Sequence, residues 1–129
     1  MSARVLVVDD NPVNLKLACE VLSFEGFEVL SAVDAVQALC VLEASVPDLI
    51  LMDIALPGVD GLTLTRQLKQ DPRWRAVPVV ALTASAMKGD AERAFSAGCE
   101  GYIRKPIDTR AFADQVRRYL RPGGTKLMR

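Results

Sequence analysis

Five short apolar runs alternate with five helical periods along this chain, and that alternation restricts the fold more than any other feature. The strand candidates are Val5–Val8, Glu28–Ser31, Leu49–Met52, Val77–Leu82 and Gly101–Ile103. Three of them are nearly continuous Val, Ile and Leu, the pattern of strands buried on both faces. Asn11 and Pro12 supply a cap and a first helical residue, so a helix is predicted from there to about Phe24, where Gly26 stops it. Ala35, Ala38, Leu39 and Leu42 recur at helical spacing, and a third helix is predicted from about Gly61 to Gln70. Met87, Ala91, Ala94 and Phe95 mark a fourth, ended by Gly98, and a fifth begins near Asp108 and presents Phe112, Val116, Tyr119 and Leu120. Five βα units joined by short connections imply an α/β fold, a parallel sheet with helices on both faces.

The 129 residues suit one domain, and half of them are hydrophobic, an ordinary globular balance. Sixteen basic residues offset sixteen acidic ones, so charge gives no reason to expect nucleic acid or an anionic membrane as a partner. No apolar run is long enough to span a bilayer, and the N-terminus lacks the order of a secretory signal, so a cytoplasmic location is expected. Residues 122–129 read as a frayed tail after a domain of residues 1–121. The three cysteines, Cys19, Cys40 and Cys99, are widely spaced and are expected to be small buried hydrophobes rather than a disulfide or zinc framework. Trp74 is expected to be a packing aromatic, and Arg110, Arg117, Arg118 and Arg121 the solvated side of the last helix. Histidine is absent, which removes Ser-His-Asp and Cys-His catalysis and the commonest metal ligand.

In open parallel sheets, sites form at the carboxyl ends of the strands. Asp9 and Asp10 end the first apolar run, Asp53 the third and Thr83 the fourth, while Lys105 follows the fifth. Adjacent carboxylates at the end of a buried strand repel one another unless a cation relieves them. With no histidine or thiolate beside them, a hard cation fits, and Mg²⁺ is suited to one or two carboxylates, waters and phosphate oxygens. Asp53, on the central strand and before the turn-rich "DIALPGVDG", is the candidate nucleophile toward phosphorus. Lys105 could neutralise one phosphoryl oxygen and the Thr83 hydroxyl bind another. The bland alternatives are that Asp9 or Asp10 caps the first helix, a place Asn11 already fits, and that Thr83, Lys105 and Tyr102 are surface or packing residues.

"VLVVDDN", "PDLILMDIALPGVDG", "VPVVALTASAMKGD" and "GYIRKPI", in this order and spacing, resemble the receiver domain of two-component response regulators. The likeness covers about residues 3–121, and the "MKGD…GCEGYIRKP" region is most similar to stand-alone receivers of phosphorelays and cell-cycle control. The resemblance implies a doubly wound, flavodoxin-like receiver fold of five parallel strands in the order 2-1-3-4-5 with five helices. It implies a phosphoacceptor at Asp53, and Mg²⁺, with Mn²⁺ as the alternative ion, held by Asp10, Asp53 and the backbone carbonyl of Ala55. Asp9 would act through a bound water. Thr83 would be the switch hydroxyl, Tyr102 the aromatic that follows it, and Lys105 the phosphoryl-binding lysine before a cis bond to Pro106. The implied partners are a histidine kinase or histidine phosphotransfer protein and a downstream signalling protein. The face formed by the fourth helix, fifth strand and fifth helix would be the output surface, on a monomer or a phosphorylation-dependent dimer.

Ala55 departs from the polar side chain that many relatives carry two positions after the phosphoacceptor, and Ser85 is small at the corresponding place after Thr83. Both positions flank the path of a hydrolysing water. Three other functions compete. A magnesium-dependent aspartyl-phosphate phosphatase of the haloacid dehalogenase type wants an acid two residues after its nucleophile, where Ala55 stands. A degenerate receiver, binding partners without phosphorylation, usually lacks part of the acidic set that is complete here. A flavin- or nucleotide-binding protein would need a Gly-rich turn after the first strand, and there is none. The expected output is therefore regulated binding rather than enzymatic turnover.

Overall fold

A computed structural model describes residues 3–56, 60–83 and 88–120. Its elements alternate throughout: β1 (Arg4–Val8), α1 (Pro12–Phe24), β2 (Glu28–Ala32), α2 (Ala35–Ala44), β3 (Leu49–Asp53), α3 (Gly61–Lys69), β4 (Val79–Thr83), α4 (Lys88–Ala97), β5 (Gly101–Arg104) and α5 (Phe112–Tyr119). The five strands form one sheet in the order β2-β1-β3-β4-β5, and every pairing is parallel. The doubly wound α/β architecture expected from the sequence is the one observed. The strand order reverses direction between β1 and β3, so their carboxyl ends flank the crevice where such sheets hold ligands.

Because side chains alternate along a strand, each apolar run feeds two cores. Leu6, Val8, Ile50, Met52, Val79 and Ala81 project to one face, among residues of α2, α3 and α4. Val5, Val7, Leu49, Leu51, Val80 and Leu82 project to the other, against Ala18 and Leu22 of α1 and Phe112 and Val116 of α5. Strands β3 and β4 are buried from end to end, which is why their sequences show continuous hydrophobicity instead of alternation.

The helix ends follow local chemistry. The Asn11 side chain accepts from the backbone N–H groups of Val13 and Asn14, with Pro12 at the first helical position. Asp34 and Asp60 cap α2 and α3 in the same way, through Gln37 N–H and Thr63 N–H. Gly98 ends α4 with φ of 112°, a left-handed conformation that glycine adopts without a Cβ penalty.

Four expectations need correction. The fourth strand begins at Val79 rather than Val77, because Val77 N–H belongs to a turn on Trp74 and Pro78 has no N–H to give the sheet. Regular α5 begins at Phe112; Asp108 instead opens the preceding turn, its carboxylate accepting from Arg110 N–H and its carbonyl from Ala111 and Phe112 N–H. Of the cysteines only Cys99 is buried, whereas Cys19 is half-buried and Cys40 is exposed on the outer face of α2. Phe95, placed on the apolar side of the fourth helix, is 51% exposed. Trp74 is buried, as expected of a packing aromatic, with the Arg73 guanidinium 4.0 Å over its ring. Ser85, Met87, Arg121 and residues 122–129 lie outside the described residues.

Candidate functional site

The site begins with strand ends. The registers of β1, β3 and β4 carry Val8, Met52 and Ala81 side by side across the sheet, so the residues that follow them emerge at one edge. Asp9 leaves β1 there, Asp53 is the last residue of β3 and Thr83 the last of β4. The backbone N–H of Lys105 donates to the Thr83 carbonyl at 2.7 Å, which ties the end of β5 to the same edge.

The carboxylates of Asp9, Asp10 and Asp53 each offer an oxygen, and these oxygens all lie within 4.8 Å of one another. Asp9 and Asp53 are buried, at 1% and 4% exposure, whereas Asp10 is exposed. The two buried acids are held alike. One oxygen of Asp9 accepts from the Asn11 N–H at 3.0 Å, and one of Asp53 accepts from the Ala55 N–H at 2.9 Å. Their other oxygens share the Lys105 ammonium, Nζ lying 3.0 Å from Asp9 and 3.2 Å from Asp53. Each carboxylate is thereby aimed by its own following turn, and the lysine bridges the two.

The electrostatics follow from that burial. Removal from water pushes the Asp9 carboxyl above its ordinary value, more than the Asn11 N–H and the lysine lower it, and the nearby Asp53 charge adds to the rise. Burial works to discharge Lys105, but its hydrogen bond to Asp9 and the charges of Asp53 and Asp9 outweigh it, so the ammonium is held more firmly than usual. Three converging acids against one lysine leave a local excess of negative charge. All-oxygen donors with one exposed member fit a hard divalent cation such as Mg²⁺. Asp10, Asp53 and the Ala55 carbonyl would hold it, with Asp9 behind them.

A cleft of about 770 Å³ opens over these groups, lined by Asp10, Asp53, Ala55, Thr83, Lys105 and, among others, Arg93 of α4. The structure buries most of the Asp53 side chain, and the cleft is its approach. Ala55 is exposed beside it and lines the same cleft. The Lys105–Pro106 bond is cis. Tyr102 stands apart from the cleft: it is half-buried on β5, with its ring edge-on to Phe95 at 6.4 Å, and it lines a separate depression with Tyr119.

The model of the response regulator receiver domain family matches residues 5–117. The chain belongs to that family. The receiver is 44% identical over 120 residues to the polar-differentiation response regulator DivK of Brucella ovis, covering 93% of this chain and 98% of that one. Among solved structures it resembles a putative response regulator of Chloroflexus aurantiacus, at a TM-score of 0.88 and 30% identity, over 93% of this chain and 98% of the other. It also resembles the receiver domain of sensor histidine kinase PA1611 from Pseudomonas aeruginosa, at a TM-score of 0.84 and 35% identity with the same coverage. That structure is described with a magnesium ion coordinated in its active site cleft.

Sequence reasoning passed over two residues that this receiver places at the site. Gly61 opens α3 directly against the end of β3, where a Cβ would overlap the Asp53 carbonyl oxygen. The "DG" pair at positions 60 and 61 was a usable signal for a cap followed by a close approach. Arg93 reaches the cleft from α4, and nothing in its local sequence distinguishes it from other surface arginines.

Proposed function

We propose that this receiver accepts a phosphoryl group on Asp53 from a phosphohistidine of a histidine kinase or a histidine phosphotransfer protein. In that step an Asp53 carboxylate oxygen forms the new P–O bond while the P–N bond breaks, its electron pair leaving with the imidazole nitrogen. The observation that carries the reading is the paired hold on Asp9 and Asp53, each fixed by a backbone N–H and both joined to Lys105 beneath an open cleft. Phosphoryl transfer asks the protein mainly for positioning and charge neutralisation. Ala55 N–H orients the Asp53 carboxylate, Lys105 supplies a fixed positive charge to a phosphoryl oxygen, and the Thr83 hydroxyl meets another. Mg²⁺, when bound, neutralises charge on the same phosphoryl group.

Phosphorylation then acts as a bias between two conformations, with the new contacts to Thr83 and Lys105 supplying the energy difference. Tyr102 is the residue that passes the change to the face of α4, β5 and α5, where a downstream signalling protein binds. The protein works in the cytoplasm as a stand-alone regulator of the DivK kind, and its catalysis is confined to its own phosphorylation and dephosphorylation. The test is incubation with acetyl phosphate and Mg²⁺ followed by intact-mass measurement. One hydroxylamine-sensitive phosphoryl group is expected on the wild type and none on Asp53→Asn. Full labelling of Asp53→Asn would overturn the assignment, and sustained turnover of a chromogenic phosphate ester would favour a phosphatase instead.

A further inference from the structure

We infer that Arg93 is an additional phosphoryl-binding residue, through which helix α4 itself contacts the group on Asp53. This rests on the phosphoacceptor reading above. Helix α4 buries Ala94 and Ala97, at 1% and 4% exposure, and so is anchored against the sheet. Arg93 precedes Ala94, is exposed, and lines the same cleft as Asp53, Thr83 and Lys105. It is the one residue of α4 among the described lining residues.

Charge supplies the reason for a contact. With a divalent cation bound, the three carboxylates would face Lys105 and that ion, and their formal charges would balance. Forming an acyl phosphate on Asp53 would replace one negative charge by roughly 1.5 to 2, on oxygens bordering the cleft. Lys105 is already committed to two acids at its rear. A guanidinium is a planar fork of donors that grips phosphate oxygens bidentately, which a lysine point charge does not. Ala55, with only a methyl group, and Arg93 line the same cleft as Asp53.

Position supplies the consequence. Thr83 and Lys105 stand on strand ends held by the sheet, Lys105 N–H bonding to the Thr83 carbonyl. Arg93 stands on the helix itself, so its contact would come from α4 rather than from a strand end. A bond from Arg93 would exist only in the phosphorylated state, and it would give α4 the differential contact that a population shift requires.

The experiment is titration of beryllofluoride, a phosphoryl mimic, in Mg²⁺ buffer, followed by amide NMR on wild type, Arg93→Ala and Arg93→Lys. Arg93→Ala is expected to weaken beryllofluoride binding at least threefold. It should also shrink the ligand-induced shifts of the Ala94–Ala97 amides while those of Thr83 and Lys105 persist. Partial recovery with Arg93→Lys would mark a charge effect that a merely structural residue would not produce. Arg93→Ala binding within threefold of wild type, with a full response on α4, would overturn the inference and leave the phosphoacceptor reading intact. A wild type that neither binds beryllofluoride nor is labelled at Asp53 would overturn both.

Discussion

Gly61 lies so close to Asp53 that a single added methyl group would overlap the Asp53 carbonyl oxygen. The first turn of α3 thus presses on the strand end that carries the candidate phosphoacceptor. Gly61→Ala must push the helix off the strand, because the obstructing atoms are backbone. Overpacking of this sort costs roughly 1 to 3 kcal/mol. We expect a lower urea midpoint together with slower acetyl phosphate labelling of Asp53. Unchanged values of both would show that α3 can shift freely.

Lys105 is the fixed positive charge between two buried acids. Removing one partner of such a cluster leaves buried charge uncompensated. Lys105→Ala is therefore expected to melt well below wild type in EDTA. Mg²⁺ should raise its melting temperature by more than it raises that of wild type, since a ligand stabilises in proportion to its preference for the folded state. Equal Mg²⁺ shifts in the two proteins would count against a cation site shared with these acids.

Cys99 offers a pH test away from the site. Burial, the dominant cause, pushes its thiol from 9.0 up to about 11. The folded protein thus keeps a proton that the unfolded chain has released over that interval. Stability from this group is whole below about pH 9 and is lost as pH rises toward 11. Two pKa units correspond to about 2.7 kcal/mol. The stability advantage of wild type over Cys99→Ala, measured by urea unfolding, should shrink by that order across the window. Parallel pH profiles for the two proteins would refute it.

Asp60 caps α3 by accepting from Thr63 N–H at 2.8 Å, a bond that holds its carboxyl below the ordinary range. Loss of such a cap typically costs about 1 kcal/mol. Asp60→Ala should show that drop in chemical denaturation at neutral pH, and Asp60→Asn should recover most of it. An alanine variant as stable as wild type would mean the helix start is held by Gly61 packing instead.

Phe112 is wholly buried between α5 and the sheet. Truncation of a core aromatic costs about 3 to 5 kcal/mol. Phe112→Ala is expected to lose that much in equilibrium unfolding, with α5 amides exchanging faster than those of β3. A loss below 1 kcal/mol would show that the cavity collapses without penalty.

Much of this molecule could be read from residue order. Runs such as Leu49–Met52 and the caps at Asn11 and Gly98 announce their elements, because backbone hydrogen bonding and burial of both sheet faces are local, periodic demands. The strand-end rule likewise gathered Asp9, Asp10, Asp53, Thr83 and Lys105 at one edge. What residue order left open depended on packing between elements distant in the chain. Cys40 and Phe95 face solvent because α2 and α4 each turn only one side to the sheet, and a helical period marks a stripe without stating its width. Gly61 is constrained by the carbonyl of Asp53, and Arg93 reaches the cleft because α4 crosses beside it. Local propensity encodes which segments form; only the assembled sheet decides which atoms finally come within a bond length of the acids.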